Sequence, residues 1–115
     1  MMRSDCVFCQ IAAGESPAEM VAQTDEFVAF CDLHPVAPVH VLVVPRVHIT
    51  DLEVIDQLGP GGAERLLRFV ESVARAAGVH ETGYRVVINS GPDAGQEVFH
   101  LHLHVLGGRR LGVIA

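Results

Sequence analysis

Three histidines alternate along the last apolar stretch of the chain. His100, His102 and His104 are separated by single apolar residues, so in a β-strand all three side chains would project from one face. At a rise of ~3.3 Å per residue the outer two would lie ~13 Å apart, too far for one zinc ion to bind all three. Two interpretations stay open: one imidazole is a nucleophile between two donors, or adjacent members bind a metal with ligands from elsewhere.

A second candidate site lies near the start of the chain. Cys6 and Cys9 have the two-residue separation that is typical of zinc ligands. With Cys31 the chain has three cysteines, an odd number that argues against a disulfide framework. On its own the pair is half of a tetrahedral site, and the alternative is two reduced, buried cysteines.

Length, composition and charge limit the classes of protein that the chain can belong to. The 115 residues, 12.4 kDa and half of them apolar, suit one compact domain over residues 1–115. A net charge of −6 disfavours nucleic acid as a partner, although a small anion remains possible. The sequence has neither the apolar region of a signal peptide nor a window long enough for a membrane span. We therefore expect a cytoplasmic protein that binds neither nucleic acid nor a membrane.

Short apolar runs between turn signals predict five strands, and their arrangement favours an α+β fold with an antiparallel sheet. The predicted strands are 20–23, 27–31, 39–44, 84–89 and 98–106. In the last strand the residues between the histidines are predicted to face the core and to hold the histidine row in place. These residues are Phe99, Leu101, Leu103 and Val105.

Apolar positions with helical spacing predict one long helix over residues 63–77. The face predicted to be buried consists of Ala63, Leu66, Leu67, Val70, Val73, Ala74 and Ala77. Shorter helices are predicted over residues 6–13, with Asp5 as the N-cap and Gly14 after the end, and over residues 51–58.

Several segments together resemble the histidine triad (HIT) family of nucleotide hydrolases and transferases. In the family's order and spacing, these segments are Cys6 to Ile11, Phe30 to Leu33, Pro38 to Arg46, Asn89 to Gly91 and Gly95 to Leu106. The continuation Gly107-Gly108-Arg109 is most similar to the Hint branch, whose members cleave the P–N bond of purine nucleoside phosphoramidates. The resemblance implies a HIT-like fold of five antiparallel strands and one long helix. It also implies a homodimer, a purine nucleotide substrate and no organic cofactor.

The resemblance implies a role for each matching residue. His102 is the nucleophile that attacks the α-phosphorus and forms a covalent nucleotidyl intermediate, which water then hydrolyses. His104 donates to a non-bridging phosphate oxygen, and His40 flanks the phosphate or the leaving group. Asp32 binds the ribose hydroxyls. The other implied contacts are Asn89 and the backbone of Gly95 and Gln96 to the phosphate, and Phe8, Ile11, Phe30 and Leu33 to the base.

The resemblance also implies how the cysteine pair is completed. In some bacterial HIT proteins two histidines join the cysteines, and the matching positions here are His48 and His100. A zinc ion bound by these four residues would anchor the first helix to the last strand and stabilise the fold.

One position departs from the family pattern, and it leaves the substrate preference undetermined. Glu97 stands where the phosphoramidase branch usually has Ser or Thr near the leaving group, and its carboxylate would repel an acidic leaving group. The rival interpretation turns Glu97 outward into solvent. The same site residues would serve dinucleoside polyphosphate hydrolysis, nucleotidyl transfer or a non-catalytic nucleotide-binding regulatory protein. His34 and His80 are predicted to lie in loops without function.

Overall fold

In the computed structural model, which describes residues 5–114, five strands form one antiparallel sheet. The strands are β1 Met20–Gln23, β2 Phe27–Cys31, β3 Val39–Pro45, β4 Tyr84–Val87 and β5 Leu103–Gly107. Their order across the sheet is β1-β2-β3-β5-β4. The predicted α+β class and antiparallel sheet are confirmed, and β1 and β2 have the predicted bounds.

Two α-helices and two 3-10 segments connect and cover the strands. The α-helices are α1 Val7–Ala12 and α2 Gly62–Ala76, and the 3-10 segments are Leu52–Leu58 and Pro92–Ala94. The N-cap residue of α1 is Cys6 rather than the predicted Asp5, whereas Gly14 follows the helix with a φ of 77° as predicted. No helix within residues 5–114 is long and apolar enough to cross a membrane.

The sheet buries apolar side chains on both faces. Along β3, Val41 and Val43 pack into the main core, which α2 covers. The alternating residues Leu42 and Val44 pack into a smaller cluster on the opposite face, together with Phe8 of α1. This two-sided burial explains why β2 and β3 are continuous apolar runs rather than alternating ones.

The face of α2 that enters the main core differs from the predicted one at three positions, one of which is Phe69, buried although it was not predicted. Leu67 and Ala63 are exposed, although both were expected in the core. The buried side chains of the helix interior are Leu66, Phe69, Val70, Val73 and Ala74. Because successive residues turn by about 100° around a helix, Leu67 cannot follow Leu66 into a core that also takes Phe69 and Val70.

The predicted fifth strand begins too early. β5 starts at Leu103, and residues 98–100 form a bend instead. The partner strand β3 ends at Pro45, which has no N–H to donate, and its carbonyl accepts a hydrogen bond from the His100 ring at 2.7 Å. The Leu101 N–H donates to the Ile49 carbonyl at 2.7 Å, outside the sheet. The strand therefore cannot extend back to residue 98. β4 is also shorter than predicted, because it ends at Val87 and not at residue 89.

Strict alternation consequently fails at one end of the histidine segment. Leu101, Leu103 and Val105 are fully buried in the main core, as predicted. Phe99 lies in the bend and is about half exposed, so its predicted place in the core is wrong.

Leu66 and Leu67 provide a matched test of the packing on α2. We expect Leu66→Ala to lower the free energy of unfolding by about 2–5 kcal/mol, because the truncation opens a cavity in the main core. Leu67→Ala changes the same residue type on the same helix turn but at the surface, and should cost less than about 0.5 kcal/mol. Urea unfolding of both variants measures the difference. Similar losses in both would contradict the assigned helix face.

Candidate functional site

A cavity of about 440 Å³ opens on the α1 face of the sheet, within the size range of small-molecule sites. Ten of the predicted site residues line it. They are Phe8, Ile11, Phe30, Asp32, Leu33, Asn89, Gly95, Glu97, His102 and His104. The lining does not include six others, namely Cys6, Cys9, His40, His48, Gln96 and His100. These ten residues combine an apolar slot with two imidazoles, an amide and two carboxyl groups.

The buried ring of His102 is held by one backbone hydrogen bond. Its Nδ1 lies 2.8 Å from the carbonyl oxygen of His100. Because a carbonyl can only accept, Nδ1 carries the proton and Nε2 keeps the lone pair. The Phe8 ring meets His102 edge to face, with 5.1 Å between centroids, and restricts its rotation. In its neutral form, His102 is therefore an oriented imidazole on the cavity wall with its lone pair on Nε2, as a nucleophile requires.

His104 and His40 form a hydrogen-bonded pair with a defined proton order. The Val36 N–H donates to His40 Nδ1 at 3.1 Å, so His40 carries its proton on Nε2. That Nε2 lies 2.9 Å from His104 Nδ1, which must then accept. His104 consequently presents an Nε2–H donor. His40 lies behind His104 and is not among the residues that line the cavity, and its expected place beside the phosphate or leaving group stays a prediction.

Burial and neighbouring imidazoles shift the titration of His104. Desolvation lowers its pKa below the ordinary value of 6.5, and protonation is opposed further by the nearby His102 and His40 rings. The Asp32 carboxylate acts in the opposite direction but is the weaker influence. His104 is therefore neutral near pH 7 and acts as a hydrogen-bond donor rather than as a fixed cation.

Asp32 follows β2 and lies between the cavity and His40. Its Oδ1 accepts the His34 N–H at 2.8 Å, and its Oδ2 lies 3.3 Å from His40 Nε2. The donor atoms of Asp32, His40 and His104 lie within 4.8 Å of one another, which is close enough for a metal ion. The proton on His40 Nε2 points into this group, so the three side chains are arranged as a hydrogen-bond relay.

The loop before β5 contains Gly95 and Gln96, whose predicted phosphate contacts stay a prediction. The Gly95 N–H donates to the Pro92 carbonyl at 3.0 Å, and the Gln96 N–H donates to the Gly91 carbonyl at 3.1 Å. Both amides are thus used inside the loop. The buried Gln96 side chain accepts from the Gly91 N–H and donates to the Thr50 carbonyl, so it fixes the loop instead of facing a ligand.

The four predicted metal ligands converge beside the cavity. The donor atoms of Cys6, Cys9, His48 and His100 all lie within 4.8 Å of one another. His100 Nδ1 is 3.3 Å from Cys6 Sγ and 3.5 Å from Cys9 Sγ, and His48 Nδ1 is 3.4 Å from Cys9 Sγ. Two sulfurs and two imidazole nitrogens at these separations fit tetrahedral zinc.

The His100 ring is oriented for this role. Its Nε2 donates to the Pro45 carbonyl, so the lone pair is on Nδ1 and faces the sulfurs. Burial lowers the pKa of His100 to about 4, which keeps the ring neutral, as a metal ligand must be. The third cysteine, Cys31, lines the cavity and does not belong to this group.

Some cavity residues were missed by the sequence interpretation. Val7, Leu42 and Val98 line the cavity, and His34, expected to have no function, lies at its wall. Val7 and Val98 flank motif residues and could have been included on that ground. The role of Val36 could not, because it acts through its backbone N–H on His40.

The proton order predicts how His104 titrates. We expect it to be the neutral Nε2–H tautomer at pH 7, with a titration midpoint below 6.5. Because the folded-state pKa is below that of the unfolded chain, its contribution to stability is present above pH ~6.5 and declines as the pH falls. Nitrogen-15 spectra of the histidine rings report both tautomer and midpoint. A predominant Nδ1–H form would contradict the assignment.

Comparison with known proteins agrees with this geometry. A family model described as "HIT domain" matches residues 13–111. The purine nucleoside phosphoramidase of Escherichia coli is 35% identical over 111 residues, which cover 96% of this chain and 93% of that protein. A histidine triad protein structure from Clostridium difficile superposes with a TM-score of 0.93 at 43% identity, over the full length of both chains. A zinc-bound histidine triad family protein from Mycobacterium smegmatis gives a TM-score of 0.79 at 36% identity, over 91% of this chain and 76% of that one. This chain is a member of the HIT family.

Proposed function

We propose that this protein hydrolyses the P–N bond of purine nucleoside phosphoramidates through a covalent intermediate on His102. The observation that carries the proposal is the hydrogen bond from His102 Nδ1 to the His100 carbonyl, which in the neutral ring assigns the lone pair to Nε2, on a ring that lines the cavity. The 35% identity to the Escherichia coli purine nucleoside phosphoramidase supports the choice of substrate.

The proposed reaction has two displacements at the α-phosphorus. His102 Nε2 forms a bond to phosphorus while the P–N bond breaks, and the leaving amine takes up a proton from solvent. The Nδ1–H bond to the His100 carbonyl stabilises the positive charge that develops on the ring. Water then attacks phosphorus and gives up a proton, the P–Nε2 bond breaks, and the mononucleotide is released. The His104 Nε2–H stabilises charge on a phosphate oxygen in both steps.

Other cavity residues would recognise the nucleotide. Asp32 presents carboxylate oxygens to the ribose hydroxyls, and Asn89 offers an amide to the phosphate. The purine would occupy the apolar slot, which consists of Phe8, Ile11, Phe30 and Leu33. His40 would then be a positioning residue that fixes the donor atom of His104.

Replacement of the nucleophile separates chemistry from binding. His102→Ala should lower turnover of adenosine 5′-phosphoramidate by about 10³-fold or more and leave AMP affinity within about tenfold. His104→Ala should lose about 10²–10³-fold, since it removes one donor to the developing charge. His80→Ala is the matched histidine control, because His80 lies away from the cavity beside Glu81. Mononucleotide release and calorimetric AMP binding are the measurements.

The same assay distinguishes the rival activities. Near-normal turnover by His102→Ala would contradict the covalent mechanism. AMP binding without turnover of any phosphoramidate, dinucleoside polyphosphate or sugar nucleotide by the native protein would favour a binding protein. Turnover of the latter two substrates alone would favour polyphosphate hydrolysis or nucleotidyl transfer.

Glu97 lines the cavity with an exposed carboxylate and should affect the choice of leaving group. Glu97→Ser and the nearly isosteric Glu97→Gln should both raise kcat/KM for substrates with anionic leaving groups, relative to substrates whose leaving group is a neutral amine. We expect about a tenfold change in the ratio of kcat/KM values, because a partly screened charge contributes on the order of 1 kcal/mol. Equal effects on both substrate classes, or none, would place Glu97 in solvent and outside the site.

We also propose that Cys6, Cys9, His48 and His100 hold one zinc ion, on the strength of their convergent donor atoms. Elemental analysis of the purified protein should find about one zinc per chain. Cys9→Ser should lose the metal and lower the melting temperature, because binding energy at such a site is folding energy. Cys31→Ser is the matched cysteine control and should retain the metal. Metal retention by Cys9→Ser would contradict this ligand set.

The homodimer implied by the family resemblance remains a prediction. The edge strand β4 presents Tyr84 and Val86, each more than a third exposed, on one side of the sheet. An edge strand with partly exposed apolar residues suits pairing with a second copy. Sedimentation equilibrium measures the mass of the particle in solution.

A further inference from the structure

The short helix α1 contributes residues both to the Cys6, Cys9, His48 and His100 group and to the cavity wall. Cys6 precedes the helix and Cys9 lies within it, and both belong to the convergent ligand group. Between them in sequence, the Phe8 ring lines the cavity and meets His102 edge to face. The same ring lies 6.0 Å from His100, centroid to centroid. Phe8 therefore contacts a metal-ligand residue and the proposed nucleophile.

His100 joins the two sites from the side of the sheet. Its ring Nδ1 faces the cysteine sulfurs, while its backbone carbonyl accepts the His102 Nδ1–H at 2.8 Å. The other ring nitrogen donates to Pro45, so this residue is anchored to β3 whether or not a metal is bound. Because the two cysteines lie at the N-terminal end of α1, we expect metal binding to change the order of this helix rather than of His100.

The two ends of α1 are held differently. At its C-terminal end, the Arg46 guanidinium donates to the Ala12 carbonyl at 2.6 Å. Its N-terminal end carries the cysteines, so a bound metal would tie this end to His48 and His100. A helix of six residues is too short to be stable by itself in water. Loss of the metal would therefore remove one tie from the end of α1 that carries Phe8, which would then be held by its packing in the smaller cluster.

We propose that the metal centre and the nucleotide cavity are thermodynamically coupled through Phe8. The inference rests on the proposed function only in that a purine nucleotide occupies the cavity. Zinc binding orders the N-terminal end of α1 and so completes the apolar slot, which raises the affinity for nucleotide. By linkage, nucleotide raises the affinity for zinc by the same factor. A coupling of about tenfold is expected, in the usual range for two sites that share an ordered element.

The test measures both directions of the coupling in the full-length protein. AMP dissociation constants are determined by calorimetry for the zinc-loaded and the chelator-stripped protein, and thermal melting checks that the stripped form stays folded. Zinc affinity is determined by chelator competition with and without saturating AMP. We expect AMP to bind the zinc-loaded form about tenfold more tightly, and zinc affinity to rise by the same factor with AMP.

A pair of aromatic substitutions identifies the residue that transmits the effect. Phe8→Leu should keep the metal but reduce the tenfold ratio to near one. Phe30→Leu is the matched control, because Phe30 lines the same cavity and lies 5.7 Å from Phe8, yet belongs to β2. It should weaken AMP binding in both metal states and leave the ratio near ten.

Several results would overturn the inference. Equal AMP affinity in the folded zinc-loaded and stripped forms would do so, as would a full tenfold ratio in Phe8→Leu. Loss of the cooperative melt on metal removal would also overturn it, because the linkage would then pass through the whole fold. Failure of AMP to bind the zinc-loaded protein is a different outcome, and it would reject nucleotide recognition in the proposed function as well.

Discussion

The two ring nitrogens and the backbone carbonyl of His100 each contact a different part of the molecule. Its Nδ1 faces the two cysteine sulfurs, its Nε2 donates to Pro45 at the end of β3, and its carbonyl accepts the His102 proton. The residue is fully buried, so none of these bonds competes with water. The place of the Cys/His ligand group, the end of the β3–β5 pairing and the tautomer of His102 all depend on this one residue.

Hydrogen-bond partners also fix the proton positions of the other imidazoles near the cavity. Each ring nitrogen that faces a carbonyl must donate, and each that faces a backbone N–H must accept. Val36 thereby makes His40 a donor toward His104, and His100 makes His102 a donor toward the backbone. In their neutral forms, the two cavity imidazoles therefore differ, with a lone pair on Nε2 of His102 and a proton on Nε2 of His104, although both are the same residue type two positions apart. Backbone contacts, rather than nearby carboxylates alone, distinguish them.

Sequence patterns predicted the sheet and most of the cavity wall because both depend on local periodicity and on motif residues. β1 and β2 match their predicted bounds, and the apolar slot is made of the predicted residues. The errors arise where long-range contacts override a local pattern. Alternation continued the last strand back to residue 98, but the Pro45 carbonyl is taken by a side chain. The contact of His40 with His104 joins residues far apart in sequence, so no local pattern could have predicted it.

The alternation of β3 has a consequence for how the chain avoids misfolded states. On one face Val41 and Val43 enter the main core, and on the other His40 contacts His104 and Leu42 lines the cavity. A slip of the β3 pairing by one residue would exchange these faces and drive the His40 imidazole into the apolar layer beneath α2. An unpartnered buried imidazole costs several kilocalories per mole, on the order of the whole stability of a small domain. The His40 side chain therefore disfavours the sheet with a shifted β3 register. Replacement of His40 by an aliphatic residue would remove this penalty on the shifted register, together with the contact to His104.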